Sequence, residues 1–157
     1  MRKRILQPTS AAPAPTSAGW LDLEALARVE VSSEDPQYPI EAALTAQGGS
    51  GWRASHPGPQ TLRLLFDRPQ TLHRVRLRFC ESEVARTQQF TLGWAPSHAG
   101  PVKEIVRQQW NFSPRGAIEQ VEDYQTPLEG VSALELVIIP DLQDAGTYAT
   151  LNEWRVA

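Results

Sequence analysis

Arginine recurs at every second position in one segment, at Arg74, Arg76 and Arg78. Alternate side chains of a strand point to the same face, so these three guanidinium groups share one side of a predicted sheet. Arg63 could join them from the preceding segment. Such a face could bind phosphate or another anion. The simpler interpretation, which we favour, is a solvated face with cross-strand partners such as Glu104 or Glu135.

Residues that could bind a transition metal or act as nucleophiles are few and scattered. One cysteine, Cys80, and three dispersed histidines do not supply the ligand spacing of a zinc site. The sequence contains no Gly-x-Ser-x-Gly segment and no phosphate-binding glycine loop. Cys80 ends a strand-like segment, where we expect a buried, inert thiol. We therefore expect no catalytic residues and no enzymatic activity.

Length and composition fit one globular domain. The chain has 157 residues, 41% of them hydrophobic, and a net charge of −3. This charge argues against a nucleic-acid partner, which usually requires a basic surface. A single cysteine cannot form an intramolecular disulfide, and no apolar stretch near Met1 is long enough for a secretory signal. We expect a soluble, cytoplasmic protein of unknown oligomeric state.

The chain divides into a polar tail and a β-rich domain. Residues 1–19 are rich in Pro, Ala, Ser and Thr without periodicity, which predicts a flexible N-terminal tail. The domain is predicted to span residues 20–157 and to open with a short helical turn over 20–27. Beyond it we expect an all-β domain, because apolar residues alternate in short runs separated by Pro and Gly turns. The predicted strands cover residues 28–32, 61–66, 72–80, 88–94, 103–110, 133–139 and 149–156.

Several pieces of this series, taken in order, resemble one known family. They are Val31-Ser-Ser33, Ala42-Ala-Leu44 followed by Gly51-Trp52, Leu62 to Asp67, Arg86 with Phe90, and Tyr148-Ala-Thr-Leu-Asn-Glu153. The run from about Val29 to Ala157 resembles the discoidin, or coagulation factor V/VIII type C, domain, in a bacterial-type form. Its relatives include the galactose-binding-like sandwiches and the family 32 carbohydrate-binding modules. The resemblance implies a discoidin-like β-sandwich or jelly roll of about eight antiparallel strands.

The resemblance also implies where a ligand binds. Family ligands engage the end of the sandwich opposite the chain termini, where the loop after the first strand meets the loop before the last. Candidates at this end are Tyr38, Arg53, His56, Glu83, Arg86 and Tyr148, together with Asp35 and Glu81. Tyr38 and Tyr148 could stack on a sugar ring. Arg53, His56 and Glu83 could hydrogen-bond its hydroxyl groups.

Structural interpretations compete with these roles. In the family, the tryptophan at the position of Trp52 has a structural role, so we expect Trp52 to be buried in the core. Arg86 is expected to pair with a nearby carboxylate and to hold its loop.

Many family members bind a structural calcium ion, and Glu153 matches one of its ligands. Thr45 and Ala46, however, stand where the family has Asp and Gly, and calcium prefers carboxylate oxygens. We therefore expect no cofactor and no metal, and leave calcium as the alternative.

The predicted function is that of a non-catalytic binding module, with carbohydrate as the expected ligand. The alternative is an intracellular protein-interaction module of a larger assembly. A membrane partner is not expected, because the predicted loop tips are acidic and anionic lipids would repel them.

Overall fold

A computed structural model describes residues 19–45 and 50–157. Two short helices, α1 and α2, cover Leu23–Leu26 and Glu41–Leu44. The eight strands, β1 to β8, are Ala27–Val31, Trp52–Pro57, Gln60–Cys80, Arg86–Ala95, Lys103–Phe112, Glu119–Ile139, Tyr148–Leu151 and Glu153–Val156. All of their pairings are antiparallel. The predicted all-β sandwich is confirmed. The predicted tail falls outside the described residues, apart from Gly19.

Two long strands, β3 and β6, build both layers of the sandwich. Their pairing shifts register between Leu65 and Arg74, and Pro69 lies in this stretch. Proline has no backbone N–H to donate, so the ladder breaks here and both strands can turn from one layer into the other. Before the break, β3 pairs with β1 and β6; after it, β3 pairs with β6 and β8. The five-strand order is β1-β3-β6-β4-β5.

The core lies between these layers and is filled by alternate residues of facing strands. Phe79 of β3 stacks on Phe90 of β4 with ring centroids 5.4 Å apart. Trp52 and Trp154 are fully buried. The predicted core role of Trp52 is confirmed, and its indole Nε1 donates a 3.1 Å hydrogen bond to the carbonyl oxygen of Ser33.

The arginine row of β3 is neutralised by carboxylates. Three ion pairs join Arg74 to Asp123, Arg76 to Glu153 and Arg78 to Glu119. The hydrogen bond from Arg74 holds the pKa of Asp123 below its usual value. The prediction of a solvated face with carboxylate partners is therefore confirmed, but Glu104 is not one of the carboxylates that pair with these arginines. Arg63 pairs instead with Glu30 and Glu135, from the part of β3 before the register break.

Strand β2 differs from the sequence prediction, which placed a loop over these residues. Trp52–Pro57 pairs with β7, which lies almost a hundred residues later, so the local sequence could not reveal the pairing. Gly51 makes the close approach possible. Its φ is +74°, and a Cβ atom there would lie 2.4 Å from the carbonyl oxygen of Leu151.

One end of the sandwich collects the loops that follow β1, β3, β5 and β6, together with the connection from β2 to β3. The antiparallel registers place Val31, Cys80, Phe112 and Ile139 at this end, which we call the loop end. From the sequence, the loop after the first strand and the loop before the last strand are expected at the same end of the sandwich. This prediction is confirmed. The opposite end holds the bend of β3 and β6, the β4–β5 hairpin and the C-terminus. Within the described residues, no helix is sufficiently long and apolar to span a membrane.

Candidate functional site

An open cleft of about 480 Å³ lies at the loop end. Three parts of the chain line it: Arg53 of β2, residues 80–84 after β3, and residues around Asp144 to Thr150 before and within β7. Strand pairing between β2 and β7 brings Arg53 opposite Thr150. The cleft therefore depends on contacts between segments that are distant in sequence.

Arg53 and Tyr148 form one wall of the cleft. The guanidinium carbon of Arg53 lies 5.0 Å from the centroid of the Tyr148 ring, at cation–π distance. Both side chains are exposed, and 38% of the surface of Tyr148 is accessible. One face of the tyrosine ring is thus covered by the guanidinium group. The pair presents N–H donors and an aromatic surface together.

Glu81 organises the loop that forms the floor of the cleft. Its Oε2 accepts hydrogen bonds from the backbone N–H groups of Glu83 and Val84, at 3.1 Å and 3.3 Å. Its Oε1 accepts a 2.8 Å bond from Nε of Arg86. Burial alone would raise the pKa of Glu81, but the bonds from Arg86 and the two backbone groups outweigh it and lower the pKa. Glu81 is therefore held ionised at the floor of the cleft.

Arg86 is the anchor of this floor. Only 4% of its surface is accessible, and its Nη1 donates to the carbonyl oxygen of Pro140 at 2.7 Å and to Oε1 of Gln88 at 3.0 Å. Its guanidinium carbon lies 4.7 Å from the ring centroid of Phe112. Arg86 therefore ties the 81–84 loop to the loop after β6. The predicted carboxylate pairing is confirmed.

The cleft unites some of the predicted ligand-binding residues and leaves others outside. Arg53, Glu83 and Tyr148 line it, as does Glu81. Arg86 does not line it, because its side chain is fully enclosed beneath the floor.

Tyr38 and His56 are also absent from the cleft lining. The carbonyl oxygen of Tyr38 accepts a 3.1 Å bond from the backbone N–H of Arg53, so Tyr38 helps to hold the backbone of Arg53 in place. The backbone of Asp35 likewise donates to the carbonyl oxygen of Arg53 at 2.8 Å.

Other cleft residues were not among the candidates. Ser82, Asp144 and Thr147 line it and bring additional hydroxyl and carboxylate groups. The turn Asp144-Ala-Gly146 is recognisable in the sequence, because an aspartate before glycine favours a turn in which its side chain caps the backbone. Here Oδ1 of Asp144 accepts a 2.8 Å bond from the N–H of Gly146.

Cys80 also lines the cleft and is only half-buried, so the expectation of a buried thiol was wrong. Cys80 is the last residue of β3 and therefore lies at the loop end. Partial burial raises the pKa of this thiol, an effect that Arg78 reduces.

Glu153, the carboxylate that matches a calcium ligand of the family, is engaged in an ion pair. Oε1 of Glu153 accepts a 3.0 Å bond from Nε of Arg76. In the described part of the chain, no group of three or more His, Cys, Asp or Glu side chains is arranged to hold a metal ion. Ala46, the second departure from the family pattern, lies outside the described residues.

Comparison with known proteins finds proteins that are similar to this chain in structure, and none that is similar in sequence. No protein-family model matches the chain, and no curated protein matches it. The fold is similar to the family 32 carbohydrate-binding module of NanJ from C. perfringens, solved with galactose. The TM-score is 0.60 at 13% identity, covering 87% of this chain and 96% of the module.

Two further neighbours are carbohydrate-binding modules. A pectin-binding module has a TM-score of 0.59 at 16% identity, covering 83% of this chain and 89% of the module. The family 32 module of AlyQ, solved with 4,5-unsaturated mannuronic acid, has a TM-score of 0.62 at 14% identity, covering 84% and 95%. The chain thus has the discoidin-like, galactose-binding-like β-sandwich fold of the family 32 carbohydrate-binding modules.

Proposed function

We propose that this chain is a non-catalytic module that binds carbohydrate in the cleft at its loop end. The observation that carries the proposal is the Arg53–Tyr148 wall, which faces a cleft of about 480 Å³ with hydroxyl and carboxylate groups. Sugar rings combine an apolar face with a fringe of hydroxyl groups, so they need aromatic surface and polar groups in fixed positions. The cleft offers both.

The two wall residues have different roles in this proposal. The guanidinium of Arg53 has five N–H donors in a fixed plane, and stacking on Tyr148 holds that plane in place. Arg53 donates to sugar hydroxyl groups. Tyr148 positions Arg53 and offers the remaining ring surface to the apolar side of the sugar.

The floor of the cleft supports the proposal because it is preorganised. Glu81 and Arg86 fix the 81–84 loop without a ligand, so little conformational entropy is lost when a sugar binds. Structural neighbours of the same fold have been solved with galactose and with an unsaturated mannuronic acid. These ligands belong to those proteins and motivate the choice of sugars for testing.

A glycan array tests the proposal. The wild-type chain is expected to bind a defined set of glycans, and Arg53→Gln is expected to abolish that binding. Arg107→Gln is the matched control, because Arg107 is exposed on β5 and pairs with Glu104, away from the cleft. An array without wild-type binding, or equal loss in both variants, would refute a sugar site at Arg53.

Protein interaction is the second candidate, favoured by one observation. Of the six exposed large hydrophobic side chains among the described residues, five lie in or beside the loops of the loop end. They are Val84, Ile118, Val121, Leu142 and Tyr148. Contiguous exposed apolar patches are typical of contact surfaces, and the position of these five residues at one end favours such a patch. Pull-down from lysate with and without competing sugar separates the candidates: capture that sugar does not reduce, and that Val84→Ser with Leu142→Ser abolishes, would favour a protein partner.

A further inference from the structure

The ionisable side chains of the cleft do not balance in charge. Glu81 is neutralised by its ion pair with Arg86. Arg53 contributes a positive charge, while Glu83 and Asp144 each contribute a negative one. Neither of these two carboxylates forms an ion pair with a described residue. The cleft therefore carries an excess of negative charge.

The two carboxylates are available to a ligand. Glu83 and Asp144 are both exposed, and they reach the cleft from separate loops. Asp144 uses Oδ1 to accept the N–H of Gly146, which fixes the carboxylate and leaves Oδ2 for another donor. An ammonium group can donate several hydrogen bonds to such oxygens, whereas a carboxylate can only accept and would be repelled by Glu83 and Asp144.

We infer that the cleft selects sugars that carry a protonated amine over sugars that carry a carboxylate. This inference rests on the proposed carbohydrate-binding function and names the ligand class of the same cleft. The affinity of neutral sugars is expected to lie between those of the two charged classes. Their hydroxyl groups still bind Arg53, but they carry no charge that Glu83 and Asp144 could attract or repel. The fold does not fix this preference, since one neighbour with the same architecture was solved with an acidic sugar.

A series of sugars that differ in charge but share one ring geometry tests the inference. Galactosamine, galactose and galacturonic acid are titrated by NMR at mildly acidic pH, where galactosamine is protonated and galacturonic acid is ionised. From the interactions of the sugar charge with the two exposed carboxylates, we expect galactosamine to bind about fivefold tighter than galacturonic acid at low ionic strength. The ratio is expected to shrink in about 500 mM salt, where the Debye length falls to about 4 Å.

The double variant Glu83→Gln with Asp144→Asn is expected to abolish the preference, so that galactosamine and galacturonic acid bind with equal affinity. The control, Glu129→Gln, removes an exposed carboxylate in the bend of β6 at the opposite end and is expected to keep the preference. Galacturonic acid binding as tightly as galactosamine, or a preference that survives in the double variant, overturns the inference and leaves the sugar site intact. If none of the three sugars binds, the proposed function itself fails for these ligands, and the inference fails with it.

Discussion

Nε of Arg86 donates a 2.8 Å hydrogen bond to Oε1 of Glu81, joining a guanidinium group with no accessible side-chain surface to a carboxylate at the floor of the cleft. The bond connects the start of β4 with the loop that follows β3. The same guanidinium reaches Pro140 in the loop after β6. Three segments of the loop end therefore depend on one buried side chain.

Arg86→Gln should destabilise the fold strongly. Removing one partner of a buried ion pair leaves polar groups unpaired, and we expect a loss of about 3 kcal/mol in the free energy of unfolding. Arg78→Gln is the control, because Arg78 pairs with Glu119 at the surface, where such pairs contribute at most about 1 kcal/mol. Urea denaturation measures both. Equal, small losses would show that Arg86 does not anchor the loop end.

The contribution of Glu81 to stability should depend on pH. Its folded-state pKa lies below the ordinary value of 4.5, because the bonds from Arg86 and the backbone outweigh the effect of burial. A lowered pKa means that the stabilisation is fully present above that ordinary value and is lost as the pH falls through the lowered one. Wild type should therefore exceed Glu81→Gln in stability at neutral pH, and the difference should shrink in acid. A difference that stays constant down to strongly acidic pH would contradict the pairing.

Gly51→Ala should also destabilise the protein, by steric conflict. The new Cβ would lie 2.4 Å from the carbonyl oxygen of Leu151, at a backbone position with φ of +74°. We expect a loss of about 2 kcal/mol or more, combining backbone strain with separation of β2 from β7. Gly116→Ala is the control, since nothing lies within 4 Å of a Cβ there. Thermal unfolding distinguishes them, and a neutral Gly51→Ala would mean that β2 and β7 tolerate more separation than the structure shows.

Cys80 provides a reporter of the cleft, because it is the only cysteine of the chain and lies in the cleft lining. Burial raises the pKa of its thiol above the ordinary value of 9.0, so iodoacetamide should react more slowly with the folded protein than with the denatured chain. The rate should rise with pH beyond the point where the denatured chain levels off. A bound sugar should slow it further. Identical pH–rate profiles for folded and denatured protein would contradict the partial burial of Cys80.

Much of the fold could be predicted because apolar and polar residues alternate along single strands. In β3, Leu62 and Leu64 before the bend, and Val75, Leu77 and Phe79 after it, are all buried. The first half of β6 escaped prediction, since its buried and half-buried positions include Gln120 and Glu122, which hide the apolar alternation.

The site was predictable only in part, because its partners are distant in sequence. The loop end followed from the family resemblance together with the alternating direction of the strands, and Arg53, Glu83 and Tyr148 do share the cleft. The burial of Arg86 depends on packing against Phe112 and Pro140, which no local pattern reveals. The ion pairs of Arg74, Arg76 and Arg78 depend on register between strands far apart in the chain. Sequence alone therefore named the wrong partner in Glu104.

The most direct test of the central claim is an NMR titration of the uniformly labelled chain with galactose. A monosaccharide of about 12 non-hydrogen atoms is expected to bind with a dissociation constant of about 1 mM, on the basis of typical ligand efficiency. We predict saturable shifts confined to the amides of Arg53, residues 81–84 and residues 144–150, with no saturable shift in Arg53→Gln. Saturable shifts centred on another surface, such as the outer face of β5, would contradict a sugar-binding cleft at the loop end.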